Sequence, residues 1–336
     1  MARSPRQPVR VACNHYDRTI AAIQRLVTSD KPDIDVVETP DLIEMFIAMH
    51  EGKYDASEFS FGEMVYQTSR EAGRFIAVPV FPLRMFRHSA IFVNASSGIQ
   101  GPEDLDGKKV ALYRVAQTTC IWIRGMLKDE YGVSPKIWYA PSIHHWDDEA
   151  ERAAIRARDG STVEWLDKRD GKTTMASLDE ALREGEIDAL CSAAMPPSFV
   201  KGDSRVRRLF ENYDEVERDY FYKTKIFPIM HVIAVRKPVA EKHPDLPAAI
   251  FRLFSKAKKW SRDWIAGEGR VGLLWKDAYL EKERRLFPEH PWSYGFGQNR
   301  RVIEKFLGYC YDQGVSARRL TAEELFAPST RDLKEE

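Results

Sequence analysis

The chain has 336 residues, 43% of them hydrophobic and 30% charged, which is the make-up of a globular protein long enough for two cores. Its 51 basic and 51 acidic residues cancel, so no global field recruits nucleic acid or an acidic lipid surface, and any anion site must be local. No apolar run reaches the length of a membrane span, and the scattered Cys13, Cys120, Cys191 and Cys310 read as reduced thiols of a cytoplasmic protein.

The opening MARSPRQPVRVACN has arginines and prolines but no apolar signal-peptide core, which adds to the expectation of a cytoplasmic location. A strand is expected at 9–13, then a polar loop containing His15. Thr19 reads as the N-cap of a helix to about 27. A strand at 34–38 precedes a helix that Asp41 caps and Gly52 ends. A third strand at 55–60 carries Glu58 and Ser60, and a helix follows at 61–72. This alternation implies a parallel α/β sheet.

The stretch FIAVPVFPLRMFRHSAIFVN (75–94) places Arg84, Arg87 and His88 between two apolar, strand-like runs. Three possible cations in that position suit an anionic ligand held in a cleft; an exposed turn is the alternative. Further strands are expected at 109–113, 136–140, 163–167 and 187–192, with extended segments at 206–210 and 226–235. A helix at 119–130 follows Arg114, Gln117, Thr118 and Thr119. A helix start leaves amides unpaired and attracts carboxylates; Thr118 or Thr119 can cap it, and Arg114 can form a bidentate pair there. The apolar stripe at 247–265 reads as packing. Crossings near 94–101 and 205–227 divide the chain into one lobe of 1–95 plus 230–336 and another of 96–229. Such a bilobed α/β protein holds its ligand between the lobes.

No GxGxxG after a strand, GxxxxGK[ST], HExxH or GxSxG is present, so nicotinamide, flavin, nucleotide and serine-hydrolase chemistry have no motif behind them. His88, beside arginines, suits proton donation; His231 lies in an apolar run where a packed histidine is the alternative. Glu58 at a strand end is a candidate acid or base, or simply a loop carboxylate. His144 and His145 are adjacent and lack zinc-type spacing.

PVFPLRMFRHSAIFVN (79–94), DLDGKKVAL (104–112), TTCIWIRGMLKDEYGV (118–133), KIFPIMHVIAVRKPV (225–239) and NRRVIEKFLGYCYDQGVSARRLTAEELFAP (299–328) resemble the 4,5-dihydroxyphthalate decarboxylase family. The resemblance implies a two-lobed, type II periplasmic-binding-protein-like fold with a hinged interlobe cleft. It also implies a carboxy-lyase that uses no cofactor and no metal and takes a small aromatic carboxylate, while the balanced charge and the lack of a long apolar run speak against a nucleic-acid or membrane partner. The expected reaction takes 4,5-dihydroxyphthalate to protocatechuate and carbon dioxide. Arg84, Arg87 and Arg114, with Gln117, Thr118, Thr119 and Ser60, are expected to bind the substrate. His88 or His231 would protonate the ring, Glu58 or His15 would accept the phenol proton, and Trp122 or Phe59 would stack on the ring. A non-enzymatic solute-binding protein for an aromatic acid is the alternative on this fold.

Overall fold

The computed structural model describes residues 8–29, 32–70, 73–144, 149–167, 173–287 and 292–335. Eleven strands are described: β1 (Val9–Cys13), β2 (Ile34–Glu38), β3 (Ala56–Ser60), β4 (Phe75–Val78), β5 (Ile91–Asn94), β6 (Val110–Leu112), β7 (Ile137–Ala140), β8 (Thr162–Trp165), β9 (Ala189–Cys191), β10 (Val206–Arg208) and β11 (His231–Arg236). They form two sheets, ordered β2-β1-β3-β11-β4 and β10-β5-β9-β6-β7-β8, with helices packed on them. The protein is a two-lobed α/β protein, one lobe per sheet.

Neither sheet is wholly parallel, contrary to the expectation from alternation. β1, β2 and β3 are parallel, but β11 enters between β3 and β4 antiparallel to both. It comes back from the second lobe and so approaches its neighbours from the opposite end. β5 likewise pairs antiparallel to β9 and β10. The stretch 91–94, placed by the sequence reading in the first lobe, therefore belongs to the second sheet, and sheet membership changes between Val78 and Ile91. The chain returns between Arg208 and His231.

Local chemistry accounts for the helix starts around the cleft. Asp41 caps the helix Leu42–His50 by accepting from the Ile43 and Glu44 amides. The first helix, Asp17–Ile23, begins three residues earlier than expected, with Tyr16 at the cap position. Thr19 is its third residue, and its hydroxyl accepts from the Tyr16 amide instead of forming the cap. In the helix Thr118–Tyr131 the cap position falls to Gln117, and Gly132 closes the other end in the left-handed conformation that glycine adopts without a Cβ clash.

The lobes meet directly behind the cleft. Thr118 Oγ1 accepts from the Gly62 amide at 2.9 Å and lies 3.1 Å from Ser60 Oγ. Gly62 lies so near the Ala116 carbonyl that a Cβ there would collide with it. The C-terminal helix Phe296–Asp312 packs on both lobes: Phe306 stacks on Phe61 (4.8 Å between ring centroids) and touches Trp122 (5.2 Å). Phe306 leaves water completely, worth about 1.5–3 kcal/mol. Gln313 then donates to the Ile121 carbonyl at 3.0 Å. No helix among the described residues is long and apolar enough to cross a membrane.

Candidate active site

A cleft of about 470 Å³ opens between the lobes, a volume that accommodates one small organic ligand. Leu83, Met85, Tyr113 and Met230 supply apolar wall, and the starts of the helices Leu42–His50, Phe61–Arg70 and Thr118–Tyr131 reach its rim.

Strands β3 and β11 place the reactive groups. Their antiparallel register sets His231 opposite Ser60 and Glu58 opposite Ile233. Glu58 is fully buried, and four donors converge on its carboxylate. Oε1 lies 2.5 Å from His231 Nδ1 and accepts from the Tyr16 hydroxyl at 2.8 Å. Oε2 accepts from the Asn14 amide at 3.0 Å and the Cys13 thiol at 3.4 Å. Burial pushes the carboxyl up. The hydrogen bond and charge of His231, with the Asn14 and Tyr16 donors, outweigh it and hold Glu58 below its usual range. An ionised carboxylate only accepts, so His231 Nδ1 carries the proton between them and Nε2 is left for a ligand. His231 lines the cleft, with the Phe46 ring edge-on to it at 5.6 Å; Glu58 sits behind.

Arg87 and Arg114 are the only arginines or lysines among the described residues that line the cleft. Arg87 is 5% exposed. Its Nε donates to Met230 Sδ at 3.0 Å, while neither Nη group has an acceptor among the described residues. Burial draws the guanidinium down to about 10, which leaves it charged at neutral pH. Arg114 lies over the Tyr113 ring at 4.2 Å, likewise without an acidic partner among the described residues. A buried cation such as Arg87 is normally paired, and the half-buried Arg114 is only partly in water. These two face a cavity instead. Gln117 and Thr119 also line it, and Gln117 makes no side-chain cap, so the first-turn amides of its helix remain available to an anion. Thr118 and Ser60 reach the cleft while bonded to each other across the lobes.

Other expected site residues lie elsewhere. Arg84 is buried, donating to the Phe227 carbonyl at 3.0 Å, the Ser293 carbonyl at 3.0 Å and Asn299 Oδ1. It anchors the C-terminal region and does not line the cleft. His15 pairs with Glu38 at 3.0 Å on the surface. Trp122 donates its indole N–H to the Ile229 carbonyl and packs in the core on Phe306 and Tyr309; Phe59 is core as well, against Phe46 and Phe75. His145, paired with His144 in the sequence reading, lies outside the described residues. Among the described residues no three His, Cys, Asp or Glu side chains converge as metal ligands.

His88 sits in an aromatic cage of Tyr131, Phe210 and Tyr220, with no hydrogen-bond partner on either ring nitrogen among the described residues. Burial pulls its pKa down to about 4, so the ring is neutral at physiological pH and is no proton donor. The unfolded chain binds this proton near pH 6.5 and the folded one only near 4. The associated stability is therefore complete above about 6.5 and is lost as pH falls towards 4. In urea unfolding at pH 7 and pH 4, His88→Leu is expected to lose about 3 kcal/mol less on acidification than the parent protein. Equal losses would contradict the cage.

Sequence pattern does not single out Glu63, Tyr16 or Asn14, which the fold brings to the site. Glu63 is a buried carboxyl lining the cleft in the first turn of the helix that follows β3 directly. Its one trace in the sequence is its place in SEFSFGEM, one helical turn beyond a strand end. His144, considered only as a metal ligand, lines the cleft from the second lobe.

Residues 4–160 match the family described as ABC transporter, phosphonate, periplasmic substrate-binding protein. The fold is similar to the periplasmic aliphatic sulphonate binding protein of Escherichia coli (17% identity, TM-score 0.54, 97% of this chain and 99% of that one). It is equally similar to the MOPS-bound alkanesulfonate-binding protein of Xanthomonas axonopodis pv. citri (14%, 0.54, 97% and 99%). At these identities the likeness concerns the fold alone. Fold and site together define a periplasmic-binding-protein-like molecule whose interlobe cleft brings a histidine–carboxylate pair together with two arginines. In sequence, the 4,5-dihydroxyphthalate decarboxylase of Comamonas testosteroni is 34% identical over 324 residues, 95% of this chain and 96% of that protein. The enzyme of that name from Pseudomonas putida is 26% identical over 227 residues, 66% of this chain and 85% of that one. The chain belongs to the 4,5-dihydroxyphthalate decarboxylase family, a family of carboxy-lyases.

Proposed function

We propose that this protein decarboxylates a hydroxylated aromatic dicarboxylate without a cofactor, 4,5-dihydroxyphthalate being the first candidate and protocatechuate with carbon dioxide the products. The observation that carries the reading is a buried Glu58–His231 pair opening on the same cleft as two arginines that no carboxylate among the described residues engages in an ion pair. Arg87 and Arg114, with the helix start at Thr118–Thr119, hold the two carboxylates. In this substrate each carboxylate stands para to a hydroxyl, which pushes electron density onto the ring carbon bearing the carboxylate. In its doubly protonated form His231 gives the Nε2 proton to that carbon, keeps the Nδ1 proton on Glu58, and is recharged from solvent after carbon dioxide leaves. The bond to the carboxylate then breaks, its electron pair restores the aromatic ring, and carbon dioxide leaves. The substrate's own hydroxyl serves as the electron source, so no separate electron sink is required. Glu58 faces the imidazole, not the cleft, and acts through that ring. The four buried free cysteines support a cytoplasmic location as part of this reading.

The test is incubation with 4,5-dihydroxyphthalate, phthalate and hydroxybenzoates, following carbon dioxide release and product mass with and without chelator. Carbon dioxide is expected only from acids with a para hydroxyl. Tight binding without release would instead make the protein a solute-binding protein, the reading that its periplasmic family match favours.

A further inference from the structure

Two acidic side chains among the described residues line the cleft, Asp41 and Glu63. Asp41 is exposed, and its carboxylate caps the helix that follows it. Glu63 is different. It is 5% exposed, and its Oε1 accepts from Gln67 Nε2 at 3.0 Å, with His50 Nε2 at 3.9 Å. Its Oε2 has no hydrogen-bond partner among the described residues, and the residue borders the cavity. A cleft that held only a dicarboxylate, sulphonate or phosphonate would gain nothing from such a group. An ionised carboxylate beside an anion repels it, while a carboxyl on the cavity wall whose Oε2 no protein donor among the described residues engages is open to a donor on the ligand. The arrangement suits a ligand that also brings a hydrogen-bond donor, and a phenolic hydroxyl is that donor on a hydroxylated aromatic acid.

Building on the decarboxylase reading, we propose that Glu63 hydrogen-bonds a ring hydroxyl of the substrate and so selects hydroxylated aromatic dicarboxylates over unhydroxylated ones. Burial raises the Glu63 carboxyl above its usual range, against a smaller downward pull from His144. A carboxyl that stays protonated further up the pH scale can donate to the hydroxyl oxygen as well as accept from its proton. The two arginines then serve the carboxylates, Glu63 serves a hydroxyl, and His231 is left for the ring carbon.

The experiment compares the parent protein, Glu63→Leu and Glu63→Gln by kcat/KM for 4,5-dihydroxyphthalate and by the Ki of phthalate, an unreactive competitor with the same carboxylates. Melting temperatures are recorded alongside. Glu63→Leu is expected to lower kcat/KM by about 10²-fold or more while leaving the phthalate Ki within about twofold, because only the hydroxylated ligand loses a partner. Glu63→Gln, whose amide both donates and accepts, recovers most of the KM. An unchanged kcat/KM in Glu63→Leu overturns the proposal. So does an equal loss for both ligands, which would make Glu63 a structural residue. If the parent protein itself releases no carbon dioxide from 4,5-dihydroxyphthalate, the decarboxylase reading fails first, and the inference falls with it.

Discussion

Replacing His231 with asparagine lowers kcat for 4,5-dihydroxyphthalate by about 10²–10⁴-fold and leaves the Ki of phthalate within a few-fold. The separation of the two effects follows from the geometry. His231 borders the cleft through a ring whose Nδ1 is engaged by Glu58 at 2.5 Å, so its remaining nitrogen is a proton-transfer group and not the principal anion holder. Asparagine preserves a polar group there but carries no transferable proton. Glu58→Gln is expected to cause most of the same loss. The amide removes the carboxylate that orients the His231 ring through Nδ1, and its NH₂ end has no acceptor among the Tyr16, Asn14 and Cys13 donors. Because the two residues act as a unit, the double variant should be little worse than His231→Asn alone. Additive losses would mean that Glu58 works independently of the imidazole. A full-rate His231→Asn enzyme would remove the proton-donor role altogether.

What the sequence shows of this site divides by how local the deciding contacts are. Glu58, Ser60, Gln117 and the threonines at the next helix start sit at strand and helix ends, and patterning within a dozen residues locates such ends. Arg84 and Arg87 are alike in the same short stretch, PLRMFRH. What separates them lies far along the chain: Ser293 and Asn299, 209 and 215 residues from Arg84, take up one guanidinium and leave the other free. Sheet membership of 91–94 is settled in the same way, by pairing with β9 about a hundred residues later. Trp122 belongs to a helix buried at every residue from Thr118 to Leu127, because the C-terminal helix covers the face that would otherwise look outward. A pattern of local amphipathicity cannot report a cover supplied from residue 306. His88 misleads for a chemical reason: neighbouring arginines suggest a polar site, yet its ring is enclosed by Tyr131, Phe210 and Tyr220.

The contrast between the two arginines gives the second large effect. Arg87→Ala is expected to weaken phthalate binding by about 10²-fold, the scale of losing one charge-assisted contact of about 2–3 kcal/mol. Its melting temperature should stay level or rise. The native structure holds this cation nearly out of water with no carboxylate in ion-pair contact among the described residues, so removing it relieves desolvation and costs a contact with Met230 sulfur and a longer-range attraction to Glu217. Arg84→Ala should do the reverse. Its loss leaves the Phe227 carbonyl and Asn299 Oδ1 buried without their donor, at about 2–4 kcal/mol of stability, while the folded fraction binds phthalate normally. Thermal unfolding and calorimetric titration on the same two variants separate the effects. If Arg84→Ala, still folded, loses phthalate affinity as fully as Arg87→Ala does, the anion site extends beyond the cleft and the assignment of Arg84 to the scaffold fails. If Arg87→Ala instead lowers the melting temperature and keeps its affinity, its buried charge serves the fold, and Arg114 with the helix start at Thr118 must hold the ligand unaided.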